Sequence, residues 1–154
     1  GGHVTCHGCR FAFQLPLMLP FAYRPNRLLV EALKSGAMTI LLTALWLYEQ
    51  DKTMHWQTES VVQNSKLTTD IDIGAQMGDE IWVIECKDNF KITDMALDAL
   101  IEQLRVGHQV AQDIRASRYL LATLYPNAIP DRLMDFLAEQ QIDVLTRADL
   151  LRVK

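Results

Sequence analysis

The stretch Thr69–Lys87, TDIDIGAQMGDEIWVIECK, constrains the fold more than any other part of the chain. Residues 69–75 alternate acidic and apolar side chains with a period of two, and Ile81–Cys86 is apolar at five of six positions. Between the two runs stands Gly78-Asp79, a two-residue turn in which glycine supplies the positive φ of a tight hairpin. Centring the turn there pairs Met77 with Glu80, Ala75 with Trp82 and Asp72 with Glu85, and sets Asp70 opposite Lys87. Side chains alternate along a strand, so Asp70, Asp72, Glu85 and Lys87 would share one face. Ile71, Ile73, Trp82, Ile84 and Cys86 would pack the other.

Opposed residues have Cβ atoms about 5 Å apart, where like charges destabilise a sheet. Two half-buried carboxylates held that way need a proton or a cation between them. Magnesium suits such a place, since it prefers carboxylate oxygens and retains several waters. The competing reading is a solvated face on which Lys87 pairs with Asp70 and Glu85.

The rest of the chain supplies a frame for this hairpin. The spacing of Leu28, Leu29 and Leu33 suits a short helix from Asn26 that stops near Gly36. A second helix is expected from about Ala37 to Gln50. Its apolar run, Gly36–Tyr48, is shorter than the ~20 residues that span a bilayer, so it reads as a core helix. HWQTESVVQNS has strand composition and leads into the hairpin strands. From Thr93, the spacing of Leu97, Leu100, Ile101, Leu104, Ala111 and Ile114 predicts a long amphipathic helix, with Gly107 as the place for a bend. RYLLATLY is a buried strand, IPDRLMDFLAEQQ a helix opened by proline and acid, and IDVLT a last strand before a helical turn. The order α, β, β, β, α, β, α, β predicts an α/β fold with one mixed central sheet flanked by helices.

Taken together, these residues resemble the signature of the PD-(D/E)XK nuclease superfamily. An acid on one strand, Asp72, is followed through a hairpin by Glu85, Cys86 and Lys87 on the next. The resemblance covers roughly Gly36 to the C-terminus and implies a restriction-endonuclease-like α/β/α core. It implies that Asp72 and Glu85 ligate Mg²⁺ or Mn²⁺, with the main-chain carbonyl of Cys86 as a third ligand. Lys87 would orient or help deprotonate the attacking water and stabilise charge on the phosphate. The implied reaction is hydrolysis of nucleic-acid phosphodiesters, DNA more than RNA. An inactive member that binds nucleic acid or a protein is the alternative. A homodimer is left open, since nucleases that cut both strands often act as dimers.

The chain departs from the family in places. Thr69-Asp70-Ile71 stands where a proline usually precedes the first acid, and Asp70 competes with Asp72 for the metal role. Glu31 and Glu49 are candidates for the glutamate that many members carry on the first core helix. Gln103 matches a glutamine found on the helix after the E-x-K strand, but the tyrosine expected four residues later is Gly107. Lys91, Arg105, Arg115 and Arg118 are candidates for gripping phosphates.

Composition narrows the setting. A formal charge of -4 gives no whole-molecule attraction to nucleic acid, so phosphate binding has to be local. Three cysteines without disulfide spacing fit a reducing, cytoplasmic compartment, and no signal peptide or membrane partner is expected. Residues 1–35 read as an irregular, proline-broken lead-in, and residues 36–154 as the nuclease-like domain. Cys6-His7-Gly8-Cys9 is half of a zinc ribbon, able to hold structural Zn²⁺ if a second knuckle exists, and a zinc-dependent interaction module is a further reading. Gly1-Gly2 without a methionine suggests the end piece of a longer protein. His55 and His108 are lone histidines, and Trp46, Trp56 and Trp82 are read as core.

Overall fold

Gly36 holds φ at 81°, a left-handed conformation that suits glycine, and the chain turns there into helix α1 (Ala37–Gln50). Asp88 closes the N-terminus of this helix from across the fold, accepting from the Thr39 N–H at 2.9 Å and from the Thr39 hydroxyl. A carboxylate at that end answers both the unpaired amides and the helix dipole. Strands β3 (His55–Gln63), β4 (Thr68–Met77) and β5 (Glu80–Lys87) follow, then α2 (Asp94–Asp113), β6 (Arg118–Thr123), α3 (Asp131–Glu139), β7 (Asp143–Leu145) and α4 (Arg147–Leu150). The computed structural model describes residues 3–5, 12–14, 36–63, 68–88 and 93–152.

The five strands form one sheet in the order β3-β4-β5-β6-β7. The β3/β4 and β4/β5 pairs are antiparallel, while β5/β6 and β6/β7 are parallel. Connection length decides this: a tight turn can only reverse a strand, whereas a helical crossover returns the chain in the same direction. The turn at Gly78-Asp79 forms as the sequence predicts, with Gly78 at φ 60° and Met77 opposite Glu80.

Each face of the sheet carries its own core. On one, Ile71, Val83, Tyr119 and Leu121 pack with Leu97, Leu100, Ile101 and Leu104 of α2 and Leu133, Phe136 and Leu137 of α3. On the other, Ile73, Ala75, Trp82, Ile84, Cys86, Leu120 and Ala122 meet Leu47 of α1 and Leu150 of α4. Each fully buried leucine or isoleucine contributes about 1.5–3 kcal/mol relative to an exposed one. The result is the mixed sheet with helices on both faces that the element order predicts.

Several expectations are corrected. Helix α1 is only half a core helix: Thr39, Thr43, Ala44 and Leu47 face inward, while Met38, Leu41, Leu45 and Tyr48 are exposed. Trp56 is also exposed: it lies on β3, which is an edge strand of the sheet among the described residues. Residues of the lead-in form a ribbon in which β1 (His3–Thr5) pairs with β2 (Ala12–Gln14) antiparallel, so this part is not wholly irregular. The chain divides into compact units of residues 1–31 and 32–154. Cys6-His7-Gly8-Cys9 and the helix expected from Asn26 lie outside the described residues. Among the described residues, no helix is long and apolar enough to cross a membrane.

Candidate active site

The β4/β5 ladder runs from Met77/Glu80 to Ile73/Ile84 in the predicted register and then stops. Asp72 and Glu85 are therefore not a ladder pair, and Asp70 does not stand opposite Lys87. The break is local to Asp72. Against β3, Ile73 pairs with Thr58 and Ile71 with Ser60, and the intervening Glu59 takes φ 51°, uncommon for a residue with a side chain. Across the break the strand changes face: Ile73 packs on the α1 side and Ile71 on the α2 side. Asp70 is consequently turned out, exposed and paired with Val61 on β3, and leaves the group.

Freed from the ladder, the Asp72 carboxylate reaches across to β5, where Oδ2 accepts the Cys86 N–H at 2.7 Å. The carbonyls of Ile81 and Lys87 accept from Ser117 and Leu124 on the β6 side. Alternation along the strand then turns the N–H and carbonyl of Cys86 the other way, toward Asp72. The Cys86 side chain is core, and its thiol is held above the ordinary range by burial first and the Asp72 carboxylate second. That leaves its main chain as the part available for chemistry.

Glu85 is 5% exposed, on the face that α2 covers. Its Oε1 receives the Lys87 ammonium at 2.5 Å and the Gln103 side-chain amide at 2.8 Å. Burial raises the Glu85 carboxyl above its usual value, Lys87 opposes that, and the neighbouring Asp72 adds to it. The alternative reading holds for one pair and not for its setting: Lys87 does pair with Glu85, but that carboxylate is buried and Asp70 takes no part. Gln103 lies at the site by virtue of the path of α2, which runs back over β5.

The other candidates sit elsewhere. Glu49 is exposed at the far end of α1 and pairs with Lys52 at 2.7 Å. Arg105 pairs with Glu102, and Arg118 pairs with Asp143 while its guanidinium lies 4.4 Å from the centre of the Trp82 ring. Arg115 lies just past the C-terminal end of α2, twelve positions beyond Gln103. Glu31 and Lys91 lie outside the described residues. His108 is half-buried, stacked on Tyr119 with centroids 5.6 Å apart.

Two neighbours were not legible as site residues. Asp88 anchors the end of β5 to α1 just after Lys87. Tyr119 on β6 brings its ring under α2 where Gly107 leaves room, and burial, then Glu85 and Asp72, push its phenol up. A glycine inside a strongly periodic helix was the available signal for such a close approach.

No protein-family model matches this chain, and no curated protein does. Three solved structures share its fold. A protein of unknown function, AF1548, is 14% identical with a TM-score of 0.51, over 72% of this chain and 57% of that one. VC1899 from Vibrio cholerae is 12% identical with a TM-score of 0.56, over 84% of this chain and 34% of that one. Can2 from Sulfobacillus thermosulfidooxidans, solved in complex with cyclic tetra-adenylate, is 13% identical with a TM-score of 0.56, over 86% and 47%. This chain thus spans between a third and three fifths of each of those proteins.

Proposed function

We propose that this protein is a metal-dependent nuclease of the PD-(D/E)XK type, acting on nucleic-acid phosphodiesters. One observation carries the reading: a buried carboxylate, Glu85, receives the Lys87 ammonium and lies beside Asp72, which a break in the ladder turns toward β5. The likeness to Can2, solved with a ring of adenylates, agrees with a phosphodiester-containing partner.

Among the described residues, no three His, Cys, Asp or Glu side chains surround a common point. The donors that fit a hard divalent ion are Asp72, Glu85 and the Cys86 carbonyl, all oxygen, and magnesium needs no more than one or two carboxylates with water and substrate oxygens. Burial of Glu85 beside a second acid is the electrostatic condition that a cation relieves. Mg²⁺ or Mn²⁺ held there would supply Lewis-acid polarisation of the phosphate and a more acidic water. Lys87 swings from Glu85 to the phosphate side, where its ammonium orients the water and offsets charge on the phosphoryl oxygens. Gln103 keeps the Glu85 carboxylate aimed while that happens.

The test is cleavage of plasmid and single-stranded DNA with and without Mn²⁺, alongside calorimetric titration of Mn²⁺. Wild type should cut only with the ion, and Lys87→Met should cut at least about 100-fold more slowly. Asp72→Asn should abolish Mn²⁺ binding. Equal cleavage by wild type and Lys87→Met would overturn the assignment. A folded wild type that neither binds Mn²⁺ nor cuts would be an inactive module of the same fold.

A further inference from the structure

Tyr119 is 5% exposed, and its hydroxyl is the one buried side-chain polar atom without a hydrogen-bond partner among the described residues. Leaving a hydroxyl in that condition costs about 1–3 kcal/mol, and phenylalanine would fill nearly the same volume without the penalty. The chain gives up stability a second time to keep it. Gly107 lies directly over the hydroxyl, and a Cβ at that position would meet Tyr119 Oη at 2.2 Å. Glycine in a helix interior is about 1 kcal/mol worse than alanine. Two unfavourable choices therefore converge on one oxygen atom.

The place of that atom suggests its use. Tyr119 stands opposite Val83, two residues before Glu85, and Leu121 stands opposite Glu85 itself. Tyr119, Val83 and Glu85 share the α2 side of the sheet, so the phenol is a diagonal neighbour of the buried carboxylate. His108 stacks on the ring with 19° between planes and limits where the hydroxyl can go. Lys87 and Gln103 both meet the same oxygen of Glu85, Oε1, and Asp72 lies beside the carboxylate.

We propose that Tyr119 is a positioning residue for Glu85: its hydroxyl donates to the Glu85 carboxylate when the Lys87 ammonium turns away. The role rests on the nuclease reading, in which Lys87 has to leave Glu85 to serve the phosphate. Once Lys87 leaves, Glu85 keeps only the Gln103 amide on Oε1 and is freer to rotate away from the place where it would hold the ion. The tyrosine hydroxyl, with the Gln103 amide, keeps the carboxylate in place through that interval.

Thermal unfolding at pH 7 of four proteins tests this: wild type, Tyr119→Phe, Lys87→Met and the double variant. With Lys87 present, Tyr119→Phe should leave Tm unchanged or raise it, since an unpartnered hydroxyl is removed. With Lys87→Met, the same change should lower Tm by about 2–4 °C, the shift expected for one hydrogen bond in a chain of this size. An equal shift in both backgrounds overturns the proposal, because a hydroxyl that only fills space cannot sense Lys87. The same Tyr119→Phe protein should cut DNA with kcat reduced about tenfold and KM unchanged. Should wild type not cut at all, the nuclease reading falls while the Tm comparison still decides whether Tyr119 donates to Glu85.

Discussion

Gly107 shows how two single-residue effects are weighed. Alanine there improves helix propensity by about 1 kcal/mol. Its Cβ, however, would lie 2.2 Å from Tyr119 Oη and 3.0 Å from the ring carbon that bears it. Overpacking of this kind costs about 1–3 kcal/mol, and His108 stacks on the same ring and limits how it can shift. Gly107→Ala should therefore lower the urea midpoint with m unchanged, and adding Tyr119→Phe should recover part of the loss. A higher midpoint for Gly107→Ala would mean that the Tyr119 hydroxyl does not sit against Gly107. Glu85 and Lys87 stood out as site candidates at this scale because charges interrupt an apolar run. Tyr119 was not, since a tyrosine in RYLLATLY is indistinguishable from ordinary core.

Helix α4 has four residues and depends on its cap. The Asp149 carboxylate accepts the Thr146 N–H at 2.9 Å and the Thr146 hydroxyl at 2.6 Å, tying the helix to the end of β7. These bonds, that from the hydroxyl first, hold the Asp149 carboxyl below its ordinary value of 3.8. The sign follows from the direction: the folded state favours the charged form, so the contribution is present above that value and is lost as pH falls through the folded one. Asp149→Ala should lower Tm by a constant amount between pH 5 and 8, in keeping with about 1 kcal/mol for a lost cap. Below about pH 4 the difference should shrink as the wild-type carboxyl takes up its proton. A difference that persists undiminished to pH 2 would mean that the charge on Asp149 is irrelevant to the cap. Element order and type were readable along residues 36–154, because period-two and helical patterns change at clear punctuation such as Gly36, Gly78 and Pro130.

For the molecule as a whole, charge sets how the proposed nucleic-acid substrate would be held. The net formal charge is -4, and Lys52, Lys87, Arg105, Arg118 and Arg132 are each already in an ion pair. Cations already paired in this way add little to counterion release. Anisotropy titrations of labelled single-stranded DNA at several salt concentrations should give a log–log slope of magnitude below about 2, against the much steeper slopes of proteins that make many phosphate contacts. A slope near the upper end of that range would reveal a basic surface that the paired residues do not provide.

What the amino-acid order determined by itself was local: the strand and helix periods, the turn at Gly78-Asp79, the register from Met77/Glu80 to Ile73/Ile84, and the presence of Glu85 and Lys87 on one strand face. Only tertiary structure decided that Asp70 leaves the group, that Asp72 reaches the Cys86 amide, and that Gln103 and Tyr119 come to lie beside Glu85. The reason is physical. Periodicity reports which side of an element faces a core, and it holds while the strand stays regular. The change of face between Ile71 and Ile73 depends on packing by two different layers of helices, and residues 18 and 34 positions from Glu85 meet it only because α2 and β6 return across the same sheet.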